Sequence, residues 1–199
     1  MAKTRFRAIL EHALGLGYFP HYLSFLIHNP LRRLLITPEG LTERMPLNPD
    51  SHALEVGPGS GYFSVEIARR VPSGHLELLD IQLEMLVKAR RHLQAAGVNN
   101  VGYTEGNATA LPFLDSEFDV ALLVAVLGEV ADQAACLQSL HRVLRPSGTV
   151  VFHEHLPDPD FLPLGKLREI VEAQGFVFVE RRGLSWNYTA SFRSSAPGL

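Results

Sequence analysis

Cysteine is nearly absent from this chain, because Cys136 is the only one among its 199 residues. A single thiol forms no internal disulfide and assembles no cysteine-rich zinc cluster, so we expect a protein of a reducing compartment, the cytoplasm. Internal repeats and low-complexity tracts are missing as well. A chain of this length supports one substantial core rather than two, which predicts a single domain over residues 1–199.

An excess of positive charge is also missing, since the formal net charge is -3. Without an overall basic field, duplex nucleic acid is not an expected partner, because it is held largely through its phosphates. A small-molecule substrate fits this charge better. The longest strongly apolar run, residues 120–128, is far shorter than the roughly 20 residues that a helix needs to cross a bilayer, and it predicts a buried strand.

A polar, proline-containing stretch at residues 47–51 separates two parts of the chain. Before it, apolar residues recur at helical spacing over residues 4–16 and 22–36, which predicts two short helices. We interpret residues 1–47 as an N-terminal helical cap, or lid, on a core formed by residues 48–199.

Short apolar runs alternate with amphipathic segments in the remainder of the chain. This alternation indicates right-handed crossovers and a mainly parallel sheet covered on both faces, so the predicted fold class is α/β. Only Gly183, Leu184 and Ser185 join the last two predicted strands, too few for a helical crossover, so these strands should pair antiparallel. The predicted strands are 52–57, 75–80, 101–105, 119–125, 148–154, 176–182 and 186–193, and the predicted helices are 61–71, 82–96, 132–143 and 165–174.

The first predicted strand runs directly into a glycine-rich turn, Gly57-Pro58-Gly59-Ser60-Gly61. Alternate glycines permit positive φ angles and let a ligand approach the backbone, while a following helix offers unpaired N–H groups. The turn by itself leaves two interpretations open, a nucleotide cradle or a tight turn that packing requires.

Asp80 ends the second predicted strand, where a doubly wound sheet places a carboxylate beside the crevice at the strand ends. There it can accept hydrogen bonds from both hydroxyls of an adenosine ribose. The alternative is an N-cap for the helix of residues 81–96. Dinucleotide-binding proteins share the turn and the acid, but their usual turn is Gly-x-Gly-x-x-Gly, and here the third glycine comes one residue earlier.

With these features the chain resembles the class I S-adenosylmethionine-dependent methyltransferases over most of residues 50–193, and within them the ubiquinone/menaquinone biosynthesis methyltransferase-like group. The resemblance implies a Rossmann-like, seven-stranded mixed sheet of order 3-2-1-4-5-7-6 with strand 7 antiparallel. The segments that carry it are Glu55–Gly61, Leu79–Leu86, Gly106–Phe113, Phe118–Val120 and Leu144–Gly148.

The resemblance also implies S-adenosyl-L-methionine as the cofactor and a role for each motif. The glycine turn would face the methionine part, with Glu55 near its amino group, and Asp80 would hold the ribose. Asn107 stands where the family more often has aspartate, and its amide can both accept from and donate to the adenine edge. The implied cofactor-binding residues are Glu55, Gly57, Gly59, Gly61, Asp80, Ile81, Asn107, Ala108, Val124 and Ala125.

Methyl transfer from a sulfonium is an in-line displacement, so alignment in a water-poor pocket supplies much of the acceleration. A general base is needed only when the acceptor keeps its proton. Polar residues at the ends of strands four and five are the candidates, with surface or capping roles as the alternative. The candidates for such a base are Glu129, His153, Glu154, His155 and Asp158, and of these Glu129, His153 and His155 are the preferred catalytic residues. Related enzymes often carry histidine where this chain has Gly128, and no metal is expected.

Aromatic residues in the N-terminal segment predict either a lid over the crevice, suited to a small apolar or aromatic acceptor, or packing on the sheet. With neighbouring lysine and arginine they also fit weak contact with a membrane surface. The sequence is also compatible with a homodimer. The aromatic residues are Tyr18, Phe19, Tyr22 and Phe25.

The predicted enzyme is an S-adenosylmethionine-dependent methyltransferase, and the alternatives are a non-catalytic S-adenosylmethionine-binding regulatory protein and an NAD-dependent oxidoreductase.

Overall fold

The computed structural model describes residues 36–195. The predicted helix of residues 4–16, nearly all of the helix of residues 22–36 and the aromatic residues of the lid lie outside this range. The described part of the predicted cap contains one short helix, α1 (Pro38–Thr42). The hydroxyl of its N-cap Thr37 accepts a hydrogen bond from the Gly40 N–H at 3.0 Å.

The core after this helix alternates strands and helices in the predicted order. The strands are β1 (His52–Val56), β2 (His75–Asp80), β3 (Val101–Glu105), β4 (Phe118–Val124), β5 (Leu144–His155), β6 (Phe176–Leu184) and β7 (Asn187–Ser194). The further α-helices are α2 (Ser64–Arg70), α3 (Leu83–Ala95), α4 (Gln133–Val143) and α5 (Leu164–Glu172).

These strands form one seven-stranded sheet of order β3-β2-β1-β4-β5-β7-β6. Strands β1 to β5 pair parallel with one another, and β7 runs antiparallel to both β5 and β6. The predicted Rossmann-like α/β fold, its strand order and its reversed last strand are therefore confirmed.

A hydrophobic core fills the space on each face of the sheet. Leu123 of β4 belongs to the cluster that α4 and α5 cover, whereas its neighbour Leu122 belongs to the cluster beneath α1, α2 and α3. Because successive side chains of a strand point to opposite faces, a central strand covered on both faces is apolar throughout. This explains the continuous apolar run of β4.

Most boundaries agree with the predicted ones to within one or two residues, and three differences have a clear structural cause. Helix α2 begins at Ser64 and not near residue 61, because Gly61 has φ +82°, which is not helical. Strand β6 continues through Leu184, since Gly183 pairs with Tyr188, and the hairpin loop is two residues long instead of three. Strand β5 begins at Leu144, and residues 145–148 bulge out before its pairing with β4 resumes.

Candidate cofactor-binding crevice

The parallel strands β1 to β5 all end at the same edge of the sheet. Val56, Asp80 and Val124 are the last residues of β1, β2 and β4, so the glycine turn and the acid meet at this edge. In open α/β sheets ligands bind in the crevice outside these carboxyl ends. The sheet topology thus brings together motifs that are separate in the sequence.

The three glycines of the turn all have positive φ, at +67° for Gly57, +57° for Gly59 and +82° for Gly61. A Cβ at Gly57 would lie 2.6 Å from a methyl group of Val126, and one at Gly61 would lie 2.7 Å from a methyl group of Leu93. A Cβ at Gly59 would meet no atom within 4 Å. Gly57 and Gly61 are thus needed for packing, and Gly59 is the position where a ligand can approach the backbone.

Asp80 is only 7% exposed and its carboxylate lies against the glycine turn. The carboxylate accepts backbone hydrogen bonds from Gln82, at 2.9 Å, and from Gly59 and Ile81. Burial raises its pKa to about 6, and these hydrogen bonds offset part of that effect. The alternative role as a helix N-cap is wrong, because α3 has Gln82 as its N-cap.

Glu55 of β1 is buried and bonded to the beginning of the next helix. Its Oε2 accepts a hydrogen bond from the hydroxyl of Ser64, the first residue of α2, at 2.5 Å. This bond ties the end of β1 to the helix that follows the glycine turn. Its implied position near the methionine amino group stays a prediction.

The residues implied for adenine lie after β2 and β3. Ile81 is 37% exposed, although it is apolar. Asn107 is the N-cap of a short 3₁₀ helix, Ala108–Ala110, and its Oδ1 accepts from the Thr109 N–H at 3.0 Å. The NH₂ group of the amide takes no part in this cap, so it is the part suited to donate to an adenine ring nitrogen. These adenine contacts stay predictions.

Ala125, which follows the last residue of β4, has an unusual backbone conformation. Its φ is +52°, in the left-handed region that non-glycine residues seldom adopt, and its N–H donates to the His153 carbonyl at 2.9 Å. Strained residues of this kind cluster at ligand sites. The implied place of Val124 and Ala125 beside the methionine part of the cofactor stays a prediction.

The candidate catalytic residues lie at the ends of β4 and β5. His153 is fully buried, with Nδ1 3.2 Å from the Thr189 hydroxyl. The ring of His155 is 5.7 Å from the His153 ring, and Glu129 lies in a 3₁₀ turn, Leu127–Glu129. The structure brings the two histidines together, but the burial of His153 argues against direct contact with an acceptor. The catalytic roles stay predictions.

Glu154 has the most unusual environment of the polar residues at the end of β5. It is 1% exposed, and burial is the main reason why its pKa is raised to about 8. The sequence contains a signal for this: Glu154 continues the alternation of Val150 and Phe152, both buried, so a strand period of two places its carboxyl in the core. Glu154 is also one of the residues that the sequence offers as a candidate base.

Gly128 lies in the 3₁₀ turn Leu127–Glu129, at the position where the family resemblance implies that a histidine is common. A Cβ at this position would overlap the carbonyl oxygen of Asp160, in the loop between β5 and α5. The loop therefore occupies the space that a side chain at position 128 would need.

The described residues were also compared with the requirements of a metal site and of a membrane-spanning helix. From residue 36 to residue 195, no three histidine, cysteine, aspartate or glutamate side chains are grouped so that they could hold a metal ion. No helix in this range has the length and apolar character needed to cross a membrane.

Sequence comparisons place the chain among known methyltransferases. A family model described as a methyltransferase domain matches residues 54–152. The ubiquinone/menaquinone biosynthesis C-methyltransferase UbiE of Pasteurella multocida is 36% identical over 147 residues, which are 73% of this chain and 52% of that protein. UbiE of Vibrio vulnificus is 34% identical over 154 residues, 76% of this chain and 58% of that protein. The chain spans little more than half the length of these relatives.

Solved structures share the fold at lower sequence identity. A SAM-dependent methyltransferase from Aquifex aeolicus has a TM-score of 0.83 at 19% identity, over 89% of this chain and 100% of that one. The [4+2]-cyclase SpnF has a TM-score of 0.72 at 16% identity, over 80% of each chain. These structures support the fold, and the family model and the sequence relatives support the methyltransferase family. The chain belongs to the class I S-adenosylmethionine-dependent methyltransferases.

Proposed function

We propose that this chain transfers the methyl group of S-adenosylmethionine to a small apolar or aromatic acceptor. The observation that carries the proposal is the pairing of Gly59 with Asp80. The backbone at Gly59 is open to a ligand, and its N–H donates to the buried carboxylate that ends the neighbouring strand. A ribose held by Asp80 would thus lie directly beside the glycine turn.

The chain's own residues would act mainly by positioning. When bound, the cofactor supplies an electrophilic methyl group on a sulfonium, and its positive charge disappears during transfer. Little new charge has to be stabilised, so alignment of the acceptor with the methyl group accounts for most of the acceleration. Asp80 and the glycine turn would hold the adenosyl and methionine parts in place, while the ends of β4 and β5 border the space for the acceptor.

Two observations support an uncharged acceptor. The relatives are named as C-methyltransferases of ubiquinone and menaquinone biosynthesis, which favours an aromatic ring. The segments that follow β4 and β5 contain acidic residues, Glu129, Asp158 and Asp160, which would repel a phosphate or carboxylate acceptor.

We also propose that residues 1–47 cap the core. The packing of Leu41 of α1 into the core beneath α2 and α3 supports this proposal.

Binding calorimetry with S-adenosylmethionine and, separately, with NAD tests the cofactor half of the proposal. We expect micromolar binding of S-adenosylmethionine, none of NAD, and a loss of at least about tenfold in affinity for Asp80→Asn, because an amide cannot accept from two ribose hydroxyls as a carboxylate does. The matched control is Asp50→Asn, an exposed aspartate before β1 at the opposite edge of the sheet. Binding of NAD alone would overturn the assignment.

The acceptor half is tested by release of S-adenosylhomocysteine with quinol, phenol and amine acceptors. Turnover with the quinol or phenol set, abolished together with cofactor binding in Asp80→Asn, supports the proposal. Tight cofactor binding without turnover on any aromatic acceptor would favour the non-catalytic binding protein instead.

A further inference from the structure

The loop of residues 156–163 joins β5 to α5 and crosses the crevice edge at the ends of β4 and β5. Three neighbours hold it. The Leu156 N–H donates to the Trp186 carbonyl of the hairpin at 2.8 Å, and the Asp160 carbonyl lies against Gly128, in the segment after β4. The third neighbour is Glu154, two residues before the loop begins. The loop therefore forms a wall of the crevice beside the space proposed for the acceptor.

Glu154 and Tyr188 clamp the backbone of this loop at one residue. The Glu154 Oε2 accepts from the Leu162 N–H at 3.1 Å, and the Tyr188 hydroxyl donates to the Leu162 carbonyl at 2.5 Å. Phe161 adds an edge-to-face contact with the Tyr188 ring, with ring centroids 6.1 Å apart. The second carboxyl oxygen of Glu154, Oε1, is buried and has no hydrogen-bond partner among the described residues.

The charged groups around Glu154 disfavour its ionised form. Asp158 and Asp160 act on it from the loop, and the neutral phenol of Tyr188 faces it from β7. His153 and His155 precede and follow it on β5, so their side chains point to the other face of the strand. Burial together with the two aspartates raises the pKa of Glu154 to about 8.

We propose that Glu154 is a positioning residue whose protonated carboxyl holds the 156–163 loop against Gly128, and that loss of this proton releases the loop and opens the acceptor side of the crevice. The consequence for acceptor access rests on the proposed function, whereas the movement of the loop does not. A buried carboxylate near two aspartates lacks the solvation that its charge needs, and opening of the loop supplies water to it.

The direction of the pH effect follows from proton linkage. In the closed loop the pKa of Glu154 is about 8, and in an open, hydrated loop it returns toward the ordinary value of 4.5. The closed loop binds the proton more tightly, so its stability is fully present at low pH and is lost as the pH rises toward 8. The equilibrium constant for opening then rises by roughly tenfold per pH unit across this interval and levels off above it.

Backbone hydrogen exchange read by mass spectrometry tests this in the full chain without an acceptor. Exchange of the peptide that contains Leu162 is followed from about pH 6 to about pH 9 and divided by the intrinsic rate at each pH. The wild-type protection should fall steeply up to about pH 8 and then stay level. Glu154→Gln, which retains an oxygen for the Leu162 N–H but cannot ionise, should show protection that does not depend on pH.

Glu117→Gln is the matched control. The Glu117 carboxylate also accepts a hydrogen bond from a loop N–H, that of Leu114, at 2.8 Å. Glu117 lies before β4, at the opposite edge of the sheet. The variant should keep the wild-type pH profile. Wild-type protection that is constant over the whole range would overturn the proposal, as would an unchanged slope in Glu154→Gln. Cofactor affinity should stay within about twofold of wild type in Glu154→Gln, so failure of this inference is distinguishable from failure of cofactor binding.

Discussion

At the level of the single residue, Asp80 has to meet two opposing requirements, a charge for binding and a buried position. A carboxylate near the glycine turn suits a ribose, but burial disfavours its charge and raises its pKa from 3.8 to about 6. The folded protein therefore binds this proton more tightly than the unfolded chain. Stability from this group is fully present below about pH 4 and is lost as the pH rises through about 6.

Asp80→Asn should accordingly stabilise the fold while it weakens cofactor binding. The amide still accepts the Gln82 N–H and carries no charge, so we expect about 3 kcal/mol more free energy of unfolding near pH 7.5 and little gain near pH 4. Urea denaturation at the two pH values measures this, with Asp50→Asn as control. A gain of the same size at both pH values would show that the buried charge is not its cause.

Gly59 and Gly61 look alike in sequence but should respond differently to alanine. Gly61→Ala adds a methyl group against Leu93 at positive φ, and we expect a loss of about 2–4 kcal/mol in the free energy of unfolding. Gly59→Ala should cost only about 1 kcal/mol of stability but reduce S-adenosylmethionine affinity at least tenfold, because the methyl group enters the space of the ligand.

Denaturation and calorimetry on these variants separate packing from binding. Gly97→Ala is the matched control for Gly59→Ala, because Gly97 also has positive φ, +73°, and open space, but follows the carboxyl end of α3. It should lose similar stability and keep full affinity. If Gly59→Ala bound the cofactor normally, the backbone at Gly59 would not line the cofactor site.

At the level of secondary-structure elements, the loop between β5 and α5 restricts which side chain the segment after β4 can have at position 128. The Asp160 carbonyl lies against Gly128, so this loop and a side chain at position 128 exclude each other. An enzyme with this loop placement cannot use a base at that position. Any base has to come from elsewhere, or the acceptor has to react without one.

Gly128→His should therefore impair the fold instead of restoring a base. We expect a loss of about 3 kcal/mol or more, or displacement of the loop, because the overlap is with backbone that cannot rotate away. Thermal unfolding and limited proteolysis at residues 156–163 measure the two outcomes. Gly165→His is the control, since a Cβ at this exposed position of α5 meets no atom within 4 Å. Wild-type stability and proteolysis in Gly128→His would contradict the overlap.

At the level of the whole molecule, the predicted cofactor-binding residues come from both sides of strand β1. Asp80 belongs to β2 and Val124 to β4, and both strands pair with β1. A ligand that spans the crevice holds these strands in one arrangement. It binds the folded chain and not the unfolded one, so it should stabilise the entire domain.

S-adenosylmethionine at about 100 times its Kd should raise the free energy of unfolding by about 2.7 kcal/mol. Denaturant unfolding with and without cofactor measures the gain, and Asp80→Asn should show much less of it at the same concentration. An equal gain in both proteins would mean that the ligand binds away from Asp80.

The sequence by itself determined the features that depend on local pattern. Hydrophobic periodicity predicted the strands and helices from β1 to β7, usually to within two residues, but it did not predict α1. The short connection before β7 predicted its reversed direction. The Gly57–Gly61 turn and Asp80 were found at the correct ends of β1 and β2. These features follow from backbone geometry over a few residues, which neighbouring side chains specify.

Only the tertiary structure decided the properties that depend on contacts between distant segments. Which glycine faces a ligand depends on Val126 and Leu93, far along the chain from the turn. The burial of Glu154 and the closure of the loop over Gly128 depend on how the loop folds back onto β4 and β7. Such contacts are set by the packing of the whole sheet and leave no periodic signal in the sequence.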